Sequence, residues 1–246
     1  MRTAAIITNY NMPERTDALV EYIRKHVKSA VDIVVVDNGS DLVPASQYTT
    51  LKLEKNVQTT GGWLAGLDSL TRDYFAYWFL ITSTEFVEGL SGDPLTPMVQ
   101  KLASDPQAVG VHNALTPDYV GAWKHLVRHA GGRGFRQTWM IDNISSLYRA
   151  DWFDSIGRFD PELIYGWGVD LETCWLARKA GRTLWVCEDA PVRKTTNIGY
   201  AMNRMNMSAE DRSKLAYRNM VDVLNRKYGP GGYINTKREY IDWRIL

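Results

Sequence analysis

Cysteine is scarce: Cys174 and Cys187 are the only two in 246 residues. They give no disulfide framework and no metal-ligand spacing, so both read as reduced thiols of a core. Long apolar runs are also lacking, and none approaches the roughly 18 residues needed to span a bilayer. The opening MRTAAIITNYN turns polar at Thr8, too early for a signal peptide. The expectation is a cytoplasmic protein with no membrane span. Charge of one sign is missing too. The 29 basic and 28 acidic residues leave +1, so no global field demands a polyanion, although a local basic patch is compatible with this balance. There is no internal repeat and no low-complexity linker. What is present is a 45% hydrophobic fraction, enough for a full core and against disorder. The length suits one large α/β domain, or one domain with a lobe. Nine Trp and thirteen Tyr serve first as core filling and, where exposed, as stacking faces for sugars or bases.

The order of apolar runs predicts an α/β fold. Ala4–Ile7 reads as a buried strand that ends in the polar cluster Thr8–Asn11. Pro13 suits a first helical turn, and Leu19, Ile23 and Val27 recur at helical spacing. Val31–Val36 is a second strand, nearly continuous in β-branched residues, and closes in Asp37-Asn38-Gly39-Ser40. Strand, helix and strand in about 35 residues make a βαβ unit with a parallel sheet, whose ligands bind at the carboxyl ends of the strands. Further strands are expected at Leu51–Leu53, Tyr77–Ile81, Ala108–His112, Trp139–Tyr148 and Thr183–Cys187. Helices are expected after the glycine-bearing turn Thr60-Gly61-Gly62, at Pro94–Ser104, at Ala150–Ile156 and at Ser208–Tyr228. The last has a Ser208/Asp211 capping box and a stripe of Tyr217, Val221, Leu224 and Tyr228. Asn113–Gln137 is less regular, locally basic, and holds Gly131-Gly132-Arg133-Gly134, a surface loop or a lid.

Phe159–Ala180 is the stretch richest in chemistry. Gly166-Trp167-Gly168 and the carboxylates Asp170 and Glu172 lead directly into an amphipathic helix. The glycines permit backbone conformations that a side chain forbids. Asp170 falls in the first helical turn, where the dipole favours an ionised carboxylate. That is a place to hold a base, and equally a place for a helix cap.

Taken together, I-T-N-Y-N at Ile7–Asn11, V-V-V-D-N-G-S at Val34–Ser40, T-G-G-W-L-A-G-L at Thr60–Leu67, S-S-L-Y-R-A-D-W-F-D-S-I-G-R-F-D-P at Ser145–Pro161 and G-W-G-V-D-L-E at Gly166–Glu172 carry a resemblance. The chain resembles the family-2-like inverting glycosyltransferases of the GT-A fold, in their rhamnosyl- and galactofuranosyl-transferase-like branch, from about Ala4 to Lys194. The resemblance implies a Rossmann-like, mostly parallel sheet with helices on both faces, and transfer of a sugar from a UDP- or dTDP-sugar to an acceptor hydroxyl. It implies a catalytic domain over 1–200, with a nucleotide-sugar part at 1–112 and an acceptor part at 113–200, and a helical tail at 201–246 packed on it. Thr8, Asn9, Asn11, Asp37 and Asn38 would meet the nucleoside, and Thr60, Gly61 and Gly62 would lie near the donor. Asp170 would be the general base, Glu172 would orient the acceptor or structure the site, and Trp167, Gly168 and Asp142 would face the acceptor.

Two departures from the family pattern coincide. The central strand ends Thr82-Ser83-Thr84 where the family places an aspartate pair, and Lys194, beside Arg193, stands where it tends to place a histidine. Hard cations prefer carboxylates. The departures leave three readings open: Lys194, with Arg193, neutralises the diphosphate in place of a metal; Glu85 and Asp170 still recruit Mn or Mg; or the protein binds nucleotide or glycan without turnover. A nucleotidyltransferase would need carboxylates at that strand end. The acceptor reads as a saccharide or another hydroxyl compound. The basic tract Lys124–Arg136 and the tail cations Arg212, Lys214, Arg218, Arg226, Lys227, Lys237 and Arg238 keep a nucleic acid acceptor, such as a modified DNA base, as the minority alternative.

Overall fold

A computed structural model of the chain describes residues 1–121, 123–195 and 208–231. The tail cations Lys237 and Arg238, and residues 201–207 of the expected tail segment, lie outside these. The strands of the first half are built as the sequence predicts, but Thr60-Gly61-Gly62, read as a turn before a helix, lies inside a helix that begins at Gln58. Strands β1 (Arg2–Asn9), β2 (Ala30–Asp37), β3 (Leu51–Lys52) and β4 (Ala76–Ile81) lie in the order β3-β2-β1-β4 and are parallel throughout. Ala4–Ile7 and Ala76–Leu80 are buried, as expected for strands covered on both faces. The register pairs Asn9 with Asp37 and Thr8 with Ile81, so the three carboxyl ends meet on one edge. Helix α1 (Pro13–His26) connects β1 to β2 and buries Leu19, Val20 and Ile23.

Helix α2 (Gln58–Asp68) lies against β1 and β2. A Cβ on Gly66 would stand 2.6 Å from Ile6 Cγ2, and one on Gly62 would stand 2.9 Å from Thr8 Cγ2. These glycines set the close helix–sheet approach. Trp63 on the same helix packs on Phe159, which also contacts Phe79 and Phe153 with ring centroids 4.8 Å apart in each case.

Antiparallel pairing enters in the second half. The sheet continues through β8 (Ser145–Arg149), β6 (Ala108–Leu115), β9 (Thr183–Lys194) and β5 (Thr84–Glu85), with β7 (Phe135–Thr138) also on β9. β8 is antiparallel to β4 and to β6, whereas β6 and β9 are parallel. The strand expected at Trp139–Tyr148 therefore narrows to its last residues, and 139–144 turns across the strand ends. β7 falls in the stretch that reads as irregular, because its pairing partner is remote in sequence: Phe135 pairs with Cys187 and Thr138 with Leu184. β9 runs past the expected end at Cys187 and serves two neighbourhoods. Its first half pairs with β6 and β7, and its last two residues pair with β5 across an irregularity near Asn113–Leu115.

The remaining helices are α3 (Thr96–Ser104), α4 (Lys124–Val127), α5 (Ala150–Ser155), α6 (Val169–Lys179) and α7 (Ala209–Tyr228). Asp93 Oδ1 accepts from Thr96 N at 2.9 Å, which starts α3 two residues after Pro94. Ser208 Oγ accepts from Asp211 N at 3.0 Å and caps α7. The buried face of α7 is Ala216, Met220, Val223 and Leu224, while Tyr217 of the expected stripe is exposed. Cys174 and Cys187 are free and buried. Among the described residues no helix is long and apolar enough to cross a membrane.

Candidate active site

A cleft of about 270 Å³ opens at the carboxyl ends of β1, β2 and β4, near the size range of small-ligand pockets. Of the residues singled out from sequence it is lined by Thr8, Asn9, Asn38, Thr82, Ser83, Asp142, Trp167 and Lys194. Elements far apart in the chain supply them, and the parallel register brings them to one edge.

Several expected donor contacts hold the loops together. Asn9 is fully buried; its Nδ2 donates to Asp37 Oδ1 at 3.1 Å, and its Oδ1 accepts from Met12 N and Thr16 Oγ1. Asp37, also fully buried, accepts from Ser40 N as well and is not among the residues lining the cleft. Asn11 adopts a positive φ of 56° and ties the two loops together: its Nδ2 donates to Asp41, and its Oδ1 accepts from Asp41 N and Leu42 N. Asn38 Oδ1 accepts from Val57 N at 2.9 Å, and its Nδ2 donates to Gln58 O at 2.9 Å, fixing the entry to α2. Thr60 is buried and donates to Leu163 O. Thr60, Gly61 and Gly62 thus position α2, where they were expected beside the donor.

At the end of β4, Thr82 and Ser83 face the cleft, and Thr84 donates to Ile144 O at 2.7 Å. Thr84 pairs with Lys194 across the β5–β9 ladder and Glu85 pairs with Arg193. Arg193 also lies 3.8 Å from Glu85 and 3.8 Å from Asp118. That occupies Glu85 and Arg193 with each other on the surface and leaves Lys194 as the member of the basic pair that enters the cleft.

The glycine-framed segment is organised by backbone conformation. Gly166 and Gly168 have φ of 79° and 88°, a region that disfavours any side chain. Gly168 caps α6, and a Cβ there would stand 2.6 Å from Met220 Cγ on α7. Trp167, held between them, is 44% exposed at the cleft. Asp170 follows in the first turn of α6, half-buried. Trp123 Nε1 donates to its Oδ2 at 3.0 Å. Burial first, and the charge of Asp142 second, push the Asp170 carboxyl up to about 7. Asp142 lines the cleft and accepts from Tyr119 Oη at 2.7 Å. Burial and Asp142 together hold that phenol well above its ordinary value, so it remains a donor. Asp170 itself is not among the lining residues; Asp142 is the carboxylate on the wall.

The contacts of Glu172 fit the structural one of its two expected roles. It is 3% exposed, accepts from Tyr228 Oη, and lies 2.6 Å from Lys227 Nζ, so it fastens α6 to α7. Two arginines of the basic tract are likewise committed internally. Arg136 donates to Glu188, Leu126 O and Arg128 O, and Arg128 donates to Tyr119 O.

Sequence reading misses Trp63, Asn143, Tyr165 and Arg212 as lining residues. Trp63 lies inside a quoted motif and Arg212 among the tail cations, but neither carries a local signal that it faces this cleft. Carboxylates for a divalent metal are sparse at this edge. Among the described residues no group of three or more His, Cys, Asp or Glu is arranged to hold one, and Thr82, Ser83 and Lys194 make a donor set unsuited to a hard cation.

No protein-family model matches the chain. It is 27% identical over 218 residues to an uncharacterised protein of Mycobacterium bovis, covering 81% of this chain and 78% of that one. An uncharacterised protein of Mycobacterium tuberculosis matches at the same identity and coverage. Solved structures share its fold at low identity. GalNAc-T7 with UDP, GalNAc and Mn2+ superposes with a TM-score of 0.58 at 11% identity, over 80% of this chain and 43% of that one. The mannosyltransferase PcManGT from Pyrobaculum calidifontis, in complex with GDP-Man and Mn2+, gives 0.59 at 13% identity, over 80% and 58%. TarS residues 1–349 of S. aureus give 0.57 at 12%, over 93% and 72%. The chain thus spans about half the length of the first two structures. It has the GT-A fold of these glycosyltransferases.

Proposed function

We propose that the cleft binds a nucleotide-diphospho-sugar and that the protein transfers the sugar, with inversion, to an acceptor hydroxyl. The observation that carries this reading is Asp142 on the wall of a cleft whose other charges are cationic, coupled by charge to Asp170, whose carboxyl is raised to about 7 by burial first and Asp142 second. A general base works best with a pKa near the working pH. In the step, the acceptor oxygen bonds to the anomeric carbon as the carbon–oxygen bond to the diphosphate breaks. The hydroxyl proton passes to Asp170, and the diphosphate leaves with the electron pair. Asp142, held by Tyr119, orients the hydroxyl. Trp167, exposed between two glycines, offers a stacking face to a sugar. That face, and the internal pairing of Arg128 and Arg136 in the basic tract, support a saccharide acceptor over a polynucleotide. The folds compared above bind UDP or GDP-Man in their own sites, which supports a nucleotide donor here.

The test is turnover of UDP-, dTDP- and GDP-sugars by wild type and by Asp170→Asn. Wild type is expected to turn over at least one, with the anomeric configuration of the product inverted by NMR. Asp170→Asn is expected to lose at least about hundredfold in kcat while nucleoside-diphosphate binding persists. Wild-type turnover in that variant would overturn the assignment.

A further inference from the structure

Buried polar atoms without partners are rare because each costs free energy. Of the thirteen found among the described residues, four fall in one place. Trp63 Nε1, Ser83 Oγ, Asn143 Nδ2 and Arg212 Nε are all buried and lack a hydrogen-bond partner among the described residues, and all four residues line the one cleft. Trp63, Ser83 and Asn143 are 2%, 2% and 4% exposed. The orientation of the Asn143 amide follows from its neighbours: Ser146 Oγ and Tyr148 Oη both donate to its Oδ1, at 2.8 and 2.9 Å, which leaves Nδ2 toward the cleft. Every one of the four can donate. Lys194 adds a cation beside Ser83, since its strand partner is Thr84 and Thr195 N donates to Ser83 O. Against these the cleft wall carries one acid, Asp142. A ligand rich in acceptor oxygens and negative charge would satisfy this set; a metal ion would not.

We infer that this set is a protein-only cradle for the donor diphosphate, in which Lys194 and Arg212 supply the charge, Trp63, Ser83 and Asn143 supply hydrogen bonds, and the C-terminal helix α7 completes the site through Arg212. This rests on the nucleotide-sugar reading above and assigns its leaving-group site. Burial lowers the pKa of the Arg212 guanidinium from its ordinary value, and its Nε has no partner among the described residues. When the anomeric bond breaks, negative charge grows on the diphosphate, and fixed cations already in place stabilise it without reorganisation. Arg suits such a place because its fork meets two phosphate oxygens at once.

The experiment is calorimetric titration of the full-length protein with UDP, dTDP and GDP, with the matching nucleosides and with inorganic pyrophosphate, in excess EDTA and again with MnCl2. At least one nucleoside diphosphate should bind in EDTA, its nucleoside should bind far more weakly, and manganese should not tighten binding. Pyrophosphate competing with that nucleotide would place the contact on the phosphates. Arg212→Gln and Lys194→Gln should each weaken binding about tenfold, as loss of a charge-assisted contact does, while Arg212→Lys should recover part of it. The apo melting temperatures of the Gln variants should match or exceed wild type, which separates lost contact from lost fold. Binding that needs manganese, or an unchanged Kd in Arg212→Gln, would overturn the cradle and leave the nucleotide reading standing. Absence of binding to every nucleotide in both buffers would overturn both.

Discussion

At Asp170 burial and helix geometry pull in opposite directions. The first turn of α6 and the Trp123 hydrogen bond favour the anion, while burial and Asp142 disfavour it, and burial prevails. The ordinary value of 3.8 rises to about 7. Between those values the native protein holds a proton that the unfolded chain has released. The stability contributed by this group is therefore fully present below 3.8 and is lost as pH rises through about 7. Catalysis runs the other way, because the base must be ionised. The logarithm of kcat/KM should climb with a slope of about one below pH 7 and flatten above it. Denaturant unfolding of Asp170→Asn should gain on wild type by about 1.4 kcal/mol per pH unit within that window. Parallel stability curves for the two proteins would show that this carboxyl does not titrate there. Its place in a first helical turn was legible in sequence, because Gly166 and Gly168 precede it and an amphipathic pattern follows. Its tuning was not, because Asp142 and Trp123 reach it from loops remote in the chain.

At the scale of elements, the long apolar runs were read correctly, while the strands that depend on a distant partner were missed or cut short. β1, α1, β2 and β4 announce themselves by apolar runs and end in polar clusters. β7 and the second half of β9 are strands only because they lie beside each other or beside β5 and β6. The same distinction separates Asp170 from Glu172, two residues apart on α6. Glu172 turns to the C-terminal helix and is held by Lys227 and Tyr228, with Lys227 also 3.1 Å from Asp160. Glu172→Gln keeps the shape and removes the charge. It should cost about 1–2 kcal/mol in urea unfolding, toward the low end because Lys227 is partly solvated and screened. Loosening α7 also displaces Arg212, so the donor KM should rise while kcat at saturating donor stays close to wild type. A fall in kcat comparable to that of Asp170→Asn would give Glu172 a part in the chemistry.

The molecule as a whole follows one rule of parallel α/β sheets: ligands gather where strand carboxyl ends converge. That rule places Thr8, Asn38, Thr82 and Ser83 together from sequence. It says nothing of α7, which enters from the far end of the chain and sets Arg212 into the cleft. The same long-range folding decides what the basic residues can do. A count of cations in Lys124–Arg136 and in the tail suggests a surface for phosphate backbone. Folding spends many of them: Arg136 on Glu188 and two carbonyls, Lys214 on Glu210, Arg226 on Glu162, Lys227 on Asp160 and Glu172. Counter-ion release from a polynucleotide needs several unpaired cations along one track, each adding about 0.9 to the magnitude of the salt slope. Fluorescence anisotropy with a labelled DNA duplex over a range of salt should therefore give weak binding and a slope shallower than about −3. A slope near −6 or steeper would mean a continuous basic track on the surface, and would move the acceptor from saccharide to nucleic acid without disturbing the donor site.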